Sequence, residues 1–534
     1  MTGKVVVYQE SSRKVLEAGM DVLAVAVSIT LGPRGRNVVL GKKFLAPQIV
    51  NDGVTIAKEI NITENFKKTG VCLIRQAAYK TNIVTGDGTT TATVLAYAII
   101  KQGIRNVAAG ANPIGLKRGI KEASKFVIGK IPYFSNPLRN SYDVLKQIAT
   151  ISAGNNPEVG SLIANAFAKI GRESFIFIEE SKFTPTELKI IEGMSFDQGF
   201  ISGYFVTNQN RMETVLENSL ILLTDKKITS MKKDLLQTLE VITKKKQALL
   251  IISDKIEKEI LATLILNKMR GILTVVAVRA PGFGVRRKAL LSDLAVLTGG
   301  RVITSNAGYS LQNTEIKYLG LAHRIIIRKE STTIISDRKK SEVLKRCSQL
   351  RRDLEKSKDS YEREKIQERL SRLCDGVAVI RVGGATETER KDRKLRLEDA
   401  VNAVKAAFEE GCLPGGGAIL ANFAKELFNW AKVKLTEDEL VGALIVEKAL
   451  SAPFKKILSN AGQNGDLVFE KASKIDFVVG YNASTSSTQF VNLFDIGIVD
   501  PVKVTRLALQ NATSIASMVL TTECLILGNS TTKV

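Results

Sequence analysis

Two glycine-rich turns, each opening an apolar helix, lie near opposite ends of this chain: TGDGTTTATVLA at 85–96 and LPGGGAILANFA at 413–424. If both serve one site, the chain must build a domain from its two ends and insert other material between them. In the first turn, Gly86 and Gly88 let the backbone bend tightly and approach a ligand. Thr89, Thr90 and Thr91 offer hydroxyl and N–H groups at a helix start, where four donors lack partners. Those donors and the helix dipole favour phosphate. Asp87 would repel phosphate unless a divalent cation sat between them, and Mg²⁺ is usually held by one or two carboxylates plus phosphate oxygens. These residues support a Mg-nucleotide site and, equally, a polar cap on an ordinary helix.

The 534 residues are enough for about three domains and a large core. Lys and Arg number 77 against 54 Asp and Glu, a net charge of +23. Such an excess attracts nucleic acid or acidic surfaces. No arginine-rich tract or basic–aromatic interleaving concentrates it, so a diffuse basic surface is expected. Cys72, Cys347, Cys374, Cys412 and Cys524 fit neither a zinc site nor a CxxC pair, and are expected as buried or free thiols. His323 is the only histidine, and no GxSxG or Cys nucleophile signature accompanies it. MTGKVVVYQESSRKVLEAGM has neither a signal-peptide core nor a transit composition, and no apolar run reaches membrane-spanning length. The protein is expected to act in the compartment that makes it.

Apolar spacing predicts a helix over 16–31, ended by LGPRG, and a strongly apolar one over 89–109. GRNVVL and APQIVNDGVTIAKEI read as short strands around turns, and SFIFIEE as β-rich. LILLTD, ALLIISD, LTVVAVRAPGFG and HRIIIRKE are β-branched runs alternating with the helical KKDLLQTLEVI and KIEKEILATLILNKMRG, which predicts an α/β domain. Residues 341–373, dominated by Lys, Arg, Glu, Gln and Leu, read as a solvated helix or helical hairpin. DGVAVIRVGG then leads into a long helix, and the chain closes with an apolar helix and a strand. No repeat of solenoid period is present.

TLGPRGRNVVL, VNDGVTIAKEI, GDGTTTATVLA, APGFGVRRKA, RKLRLEDAVNA, PGGG and GIVDPVKVTR, in order along nearly the whole chain, resemble the GroEL-type group I chaperonins. VNDGVTIAKEI, KDRKLRLEDA and NAGQNG resemble cyanobacterial and plastid members most. The resemblance implies an α+β multidomain fold. Residues 1–134 and 411–534 would form a helical equatorial ATP-binding domain, 135–190 and 377–410 a small intermediate hinge, and 191–376 an inserted α/β apical domain. It implies ATP and Mg²⁺ as cofactors, with K⁺ beside them. Thr30, Leu31, Gly32 and Pro33 would lie against the nucleotide. Asp87, Gly88, Thr89, Thr90 and Thr91 would cradle the phosphates, with Asp87 on the metal. Gly416 would border the adenosine and Asp500 the ribose. Asp399 would orient the attacking water, supported by Asp52. Phosphoryl transfer needs positioning and charge neutralisation more than covalent chemistry, and a carboxylate on a hinge makes it depend on conformation.

The resemblance also implies an apical apolar surface for unfolded polypeptide and a small co-chaperonin. Phe200, Tyr204, Phe205, Leu236, Leu239, Leu261, Ile265 and Leu266 would form it. Leu261 and Ile265, four apart, share a helix face that could equally be core. Large exposed apolar patches mark interaction sites. The implied assembly is two stacked rings of seven, in plastid stroma or bacterial cytoplasm, with no membrane or nucleic-acid partner.

The chain departs from the family in several places. Its members are typically acidic, and this chain is +23. Gly203 stands for a usual proline, Val285 for an aspartate and Asn51 for a lysine, and GNSTTKV is not a Gly-Met-rich tail. Two other classes remain: a nucleic-acid ATPase, whose hydrolysis would respond to RNA with steep salt dependence, and a small-molecule kinase, whose turnover would rise with an acceptor.

Overall fold

Leu16, Met20, Leu23 and Val27 recur at helical spacing and are all buried on α1 (Gln9–Ser28), which stops before the TLGP turn. In this computed structural model the described residues are 4–41, 47–138, 141–170, 176–181, 185–191, 193–209, 211–245, 247–304, 311–336, 340–356, 359–374, 377–472, 477–485 and 490–528. The start of SFIFIEE, the Asp375–Gly376 pair and the chain end after Gly528 lie outside them. Val38–Leu40 and Gln48–Val50 pair antiparallel, as short strands. VTIAKEI, expected to be extended, is instead α2 (Gly53–Glu59). Its β-branched alternation favours a strand locally, but the Asp52 carboxylate accepts hydrogen bonds from the Val54 and Thr55 N–H groups and starts a helix.

α3 (Asn65–Thr85) crosses α1 where both carry glycine. A Cβ at Gly19 would sit 2.0 Å from the Lys67 carbonyl oxygen, and one at Gly70 2.2 Å from that of Leu16. The missing side chains let the two backbones touch. α4 (Thr89–Ala108) buries Ala92, Leu95, Ala96, Ile99 and Ile100. α5 (Pro113–Lys130), α6 (Tyr142–Ser152) and α7 (Pro157–Ile170) follow.

The chain forms two compact units, one of Met1–Asn165, Glu180–Thr186 and Val382–Val534, the other of Ala166–Glu179 and Glu187–Arg381. Residues 135–190 and 377–410 do not separate as a third.

The second unit is built on a seven-stranded mixed sheet. Thr214–Thr224 runs parallel to Leu249–Ser253, which runs parallel to Val275–Arg279, and Val302–Ile303 pairs in parallel with Thr214–Thr224. Gly320–Ile327, Thr332–Ile335 and Gly193–Phe196 extend the other side antiparallel. The four β-branched runs of the sequence fall in these strands, and His323 is exposed on one of them. α8 (Leu236–Lys245), α9 (Lys258–Met269) and α10 (Gly284–Thr298) pack on the sheet through Ile242, Leu264 and Leu291. The charged stretch is a hairpin of α11 (Lys340–Lys356) and α12 (Ser360–Cys374). It is tied down as well as solvated. Arg346 and Arg369 reach the fully buried Asp293 carboxylate of α10 at 2.9 and 2.8 Å. Cys347 is disulfide-bonded, against the expectation of free thiols, while Cys72, Cys412 and Cys524 are free. Pairing depends on Cα separation in the fold, which scattered spacing does not reveal.

The return stretch supplies α13 (Glu387–Glu410), α14 (Ala418–Lys434), α15 (Glu437–Leu450), α16 (Ala452–Asn460), α17 (Gly465–Ala472) and α18 (Val502–Leu520). α18 packs along α3 and α4, and α15 along α5. Leu95, Ile99, Phe423, Ala512 and Ile515 thus share one core drawn from both ends of the chain. Lys4–Tyr8 pairs antiparallel with Cys524–Gly528, stitching those ends together. Among the described residues no helix is long and apolar enough to cross a membrane.

Candidate functional site

The two glycine turns meet at one cavity of the first unit. α3 ends at Gly86 (φ +67°) and α4 begins after Gly88 (φ +75°), with Asp87 between them. Both glycines adopt a left-handed backbone and are pressed by the return stretch. A Cβ on Gly86 would lie 2.2 Å from the Asn402 amide nitrogen, and one on Gly88 2.3 Å from a Val504 methyl carbon. α4 has no side-chain cap, and Thr89, Thr90 and Thr91 line the cavity at its start, so the turn offers unpartnered donors where an anion can reach them.

The cavity encloses about 680 Å³. Besides residues 87–91, its wall holds Thr30, Leu31, Gly32 and Pro33 after α1, Asp52 before α2, Asp399 of α13, Gly416 of the second glycine turn and Asp500 of the strand Val499–Pro501. Every residue assigned from the sequence to nucleotide, metal or hydrolysis is therefore placed around one space. Asn51 also lines it. The 30–33 turn is pinned from α16. The Asn460 amide donates to the Ser28 and Leu31 carbonyls, each at 2.9 Å.

Carboxylates dominate the site. Asp52 is engaged as a cap. Its Oδ1 accepts from Val54 N at 3.1 Å, and its Oδ2 from Thr55 N at 2.8 Å and Thr55 Oγ1 at 2.6 Å. Asp87 Oδ1 accepts from Gly88 N at 2.5 Å and its Oδ2 from Ser152 Oγ at 2.7 Å. Burial raises the Asp87 pKa, the two hydrogen bonds pull it down, and the Asp52 charge adds to the rise. Asp399 is held well above the usual carboxylate range by burial, then by Asp52, Asp87 and Glu398, with Arg396 opposing. Burial and then Asp87 push Asp500 up to about 7, against the N–H groups of Gly416 and Gly417.

Buried carboxylates that raise one another's pKa fit an arriving cation. Among the described residues no group of three or more His, Cys, Asp or Glu could hold a metal by itself. The donor set therefore suits an ion bound through one carboxylate, Asp87, and completed by phosphate oxygens and water, as Mg²⁺ prefers. The cationic side chains in the wall are Lys146 and Arg396, the latter held by Asp392 at 3.0 Å. Sequence reasoning missed Ser152, Lys146, Arg396 and Asn460. Asn460 and Arg396 lie in stretches that stood out, NAGQNG and RKLRLEDAVNA; Ser152 and Lys146 carry no local signal.

The surface candidates of the second unit divide. Tyr204 is 70% exposed, Leu266 54% and Leu236 40%. Phe200, Leu261 and Ile265 are half-buried and pack against the core. Phe205 at 0% and Leu239 at 7% are core residues, which corrects their expected exposure. Leu239 continues the buried stripe of Leu235 and Ile242, spaced four and three apart on one helix face. The Phe205 ring lies under Lys268, whose ammonium sits 5.5 Å from the ring centroid and donates to the Phe205 carbonyl. Met269 and Ile272, not singled out in the sequence, are exposed beside Leu266 in the chain.

Residues 23–529 match the model of the TCP-1/cpn60 chaperonin family. A curated relative, "Chaperonin GroEL, chloroplastic" of Gracilaria tenuistipitata var. liui, is 58% identical over 523 residues, covering 98% of each chain. Among solved structures, the chaperonin gp146 of bacteriophage EL 2 (Pseudomonas aeruginosa), determined in the presence of ATP-BeFx, is similar with a TM-score of 0.65 and 21% identity. That match covers 98% of this chain and 99% of the phage protein, and it speaks to the fold.

Proposed function

Because the chain belongs to the TCP-1/cpn60 chaperonin family, we propose that its carboxylate-lined cavity cleaves ATP and that the cleavage drives release of polypeptide from the second unit. The protein is an ATP-dependent molecular chaperone and an ATP hydrolase coupled to protein folding. It acts on non-native polypeptides and works as a ring. The observation that carries the site assignment is the meeting of both glycine turns, Asp52, Asp399 and Asp500 around one cavity.

In the proposed arrangement the triphosphate lies at the uncapped start of α4, beside Thr89, Thr90 and Thr91. The adenosine borders Gly416 and the ribose hydroxyls donate to Asp500. Mg²⁺ bound through Asp87 would neutralise phosphate charge, with K⁺ as a second counter-ion. Asp399 takes the proton of a water that attacks the γ-phosphorus. The bond from that phosphorus to the β,γ-bridging oxygen breaks, and ADP keeps the oxygen. Burial suits Asp399 to this step, because a raised pKa makes a carboxylate a better base near neutral pH. Asp52, committed to capping α2, acts through its charge on Asp399.

The five-segment division into equatorial, hinge and apical domains belongs to this reading. So do a client surface at Tyr204, Leu236 and Leu266, capping by a small co-chaperonin and two stacked rings of seven. The chloroplastic relative supports a plastid protein, with the stroma as its proposed location.

Electron microscopy with and without ATP, paired with an aggregation assay on a chemically denatured enzyme, tests the whole. Rings that suppress aggregation and release the enzyme on Mg-ATP are expected. A monomer, or release indifferent to ATP, would refute the reading.

A further inference from the structure

Of the 77 Lys and Arg behind the net charge of +23, only Lys146 and Arg396 among the described residues line the proposed ATP cavity. The exposed surface of the second unit gives that charge a use. In the parallel ribbon of Lys227–Ile228 and Lys255–Ile256, Lys227 lies directly opposite Lys255. Both are exposed, and like charges placed opposite one another destabilise a ribbon. One strand leads toward α8 and the other toward α9, so the ribbon sets the two helix starts side by side.

Lys232 and Lys233 precede α8, Lys244 lies in its last turn and Lys258 opens α9; all are exposed. None of these six lysines makes an ion pair or side-chain hydrogen bond with a described residue. The exposed acids of the same stretch are Glu240, Glu257 and Glu259. Asp234 is spent on the N–H groups of Thr229 and Ser230, and Asp254 on Arg287 at 2.5 Å. The same two helices carry the exposed Leu236, Leu266 and Met269. Lys232 and Lys233 lie in the π-helical turn Met231–Leu235, which runs directly into α8 at Leu236.

We propose that the α8–α9 face selects non-native segments whose apolar residues are interspersed with Asp and Glu, over equally apolar segments interspersed with Lys and Arg. The inference rests on the reading of this face as the client surface and adds a client class to it. Burial of aliphatic side chains supplies affinity without reading a sequence. Unpaired lysines around them speed encounter with acidic chains and repel basic ones. The exposed apolar residues of these helices, Leu236, Leu266 and Met269, are not aromatic and suit peptide side chains; base stacking calls for aromatic platforms.

The test uses the full-length protein in its assembled state and two fluorescent peptides. Both share the same apolar residues; one carries Glu at every remaining position and the other Lys. Anisotropy is expected to show the acidic peptide binding about tenfold more tightly or better in dilute salt. The advantage should collapse in about 1 M salt, where charges are screened beyond roughly 3 Å. Joint replacement Lys232→Gln, Lys233→Gln, Lys255→Gln and Lys258→Gln should erase the ranking, and the matching Lys→Glu set should invert it. Leu236→Ser with Leu266→Ser should weaken both peptides alike. Equal binding of the two peptides by the unaltered protein, or a ranking that survives charge reversal, overturns the inference and leaves the client surface standing. Failure of both peptides to bind overturns that surface as well. Displacement of both by a short single-stranded RNA would make the lysines a nucleic-acid site and sink the proposal.

Discussion

Ser152 Oγ donates to Asp87 Oδ2 at 2.7 Å, joining the last residue of α6 to the turn between α3 and α4. A hydrogen bond to a charged group contributes about 1.5–3 kcal/mol. Ser152→Ala leaves one oxygen of a buried carboxylate without its donor, and Asp87 is then held by the Gly88 N–H alone. ATP turnover, followed by phosphate release, is expected to fall about tenfold or more, with Ser152→Thr retaining most of it. Unchanged turnover in the alanine variant would remove the contact from the catalytic arrangement.

Asp399→Asn keeps the shape of the proposed base and removes its proton affinity. Hydrolysis is expected to fall by about 10²–10⁴-fold. Nucleotide affinity should hold or improve, because the change also removes a charge that repels Asp52, Asp87 and the phosphates. Titration with a fluorescent ATP analogue checks the second half. Loss of binding in proportion to turnover would make Asp399 a structural residue.

Asp500 carries a pH signature. Its pKa is raised to about 7, so the folded chain holds a proton that the unfolded chain, near an ordinary carboxylate pKa, has lost. This contribution to stability is complete below the unfolded pKa and disappears as pH rises through about 7. Asp500→Asn abolishes the titration. Thermal melts without nucleotide should show the variant stabilised relative to the parent at about pH 8, and the difference shrinking toward about pH 5. A pH-independent difference would contradict the buried carboxylate.

Asp293 holds Arg346 of α11 and Arg369 of α12 against α10, and its carboxylate is fully buried. Removing one partner of a buried ion pair costs about 3–5 kcal/mol, because the remaining charge is left uncompensated. Asp293→Ala should lower the urea midpoint of the second unit accordingly. Adding Arg346→Leu and Arg369→Leu should recover much of the loss. A surface-like effect below about 1 kcal/mol would contradict the burial.

Periodicity was enough to identify α1, α4, α9 and the four β-branched strands, because burying an apolar face needs only the right spacing along one element. The glycine turns near both ends implied a domain closed by both ends of the chain. The pairing of Lys4–Tyr8 with Cys524–Gly528 and the core shared by α4 and α18 are that closure. Motif order along the chain brought the family with it. Other features were beyond reach of the sequence. VTIAKEI alternates like a strand and becomes α2, because the Asp52 carboxylate caps it. Ser152 sits in an unremarkable helix end and acquires meaning only when α6 lies against Asp87. Leu236 and Leu239 have the same chemistry three residues apart, yet one faces solvent and the other the core, since the packing of α8 on the sheet decides which face is covered. Local sequence determines which element forms and which residues could serve a site. Burial, charge coupling and exposure depend on neighbours hundreds of positions away, and those only the folded chain supplies.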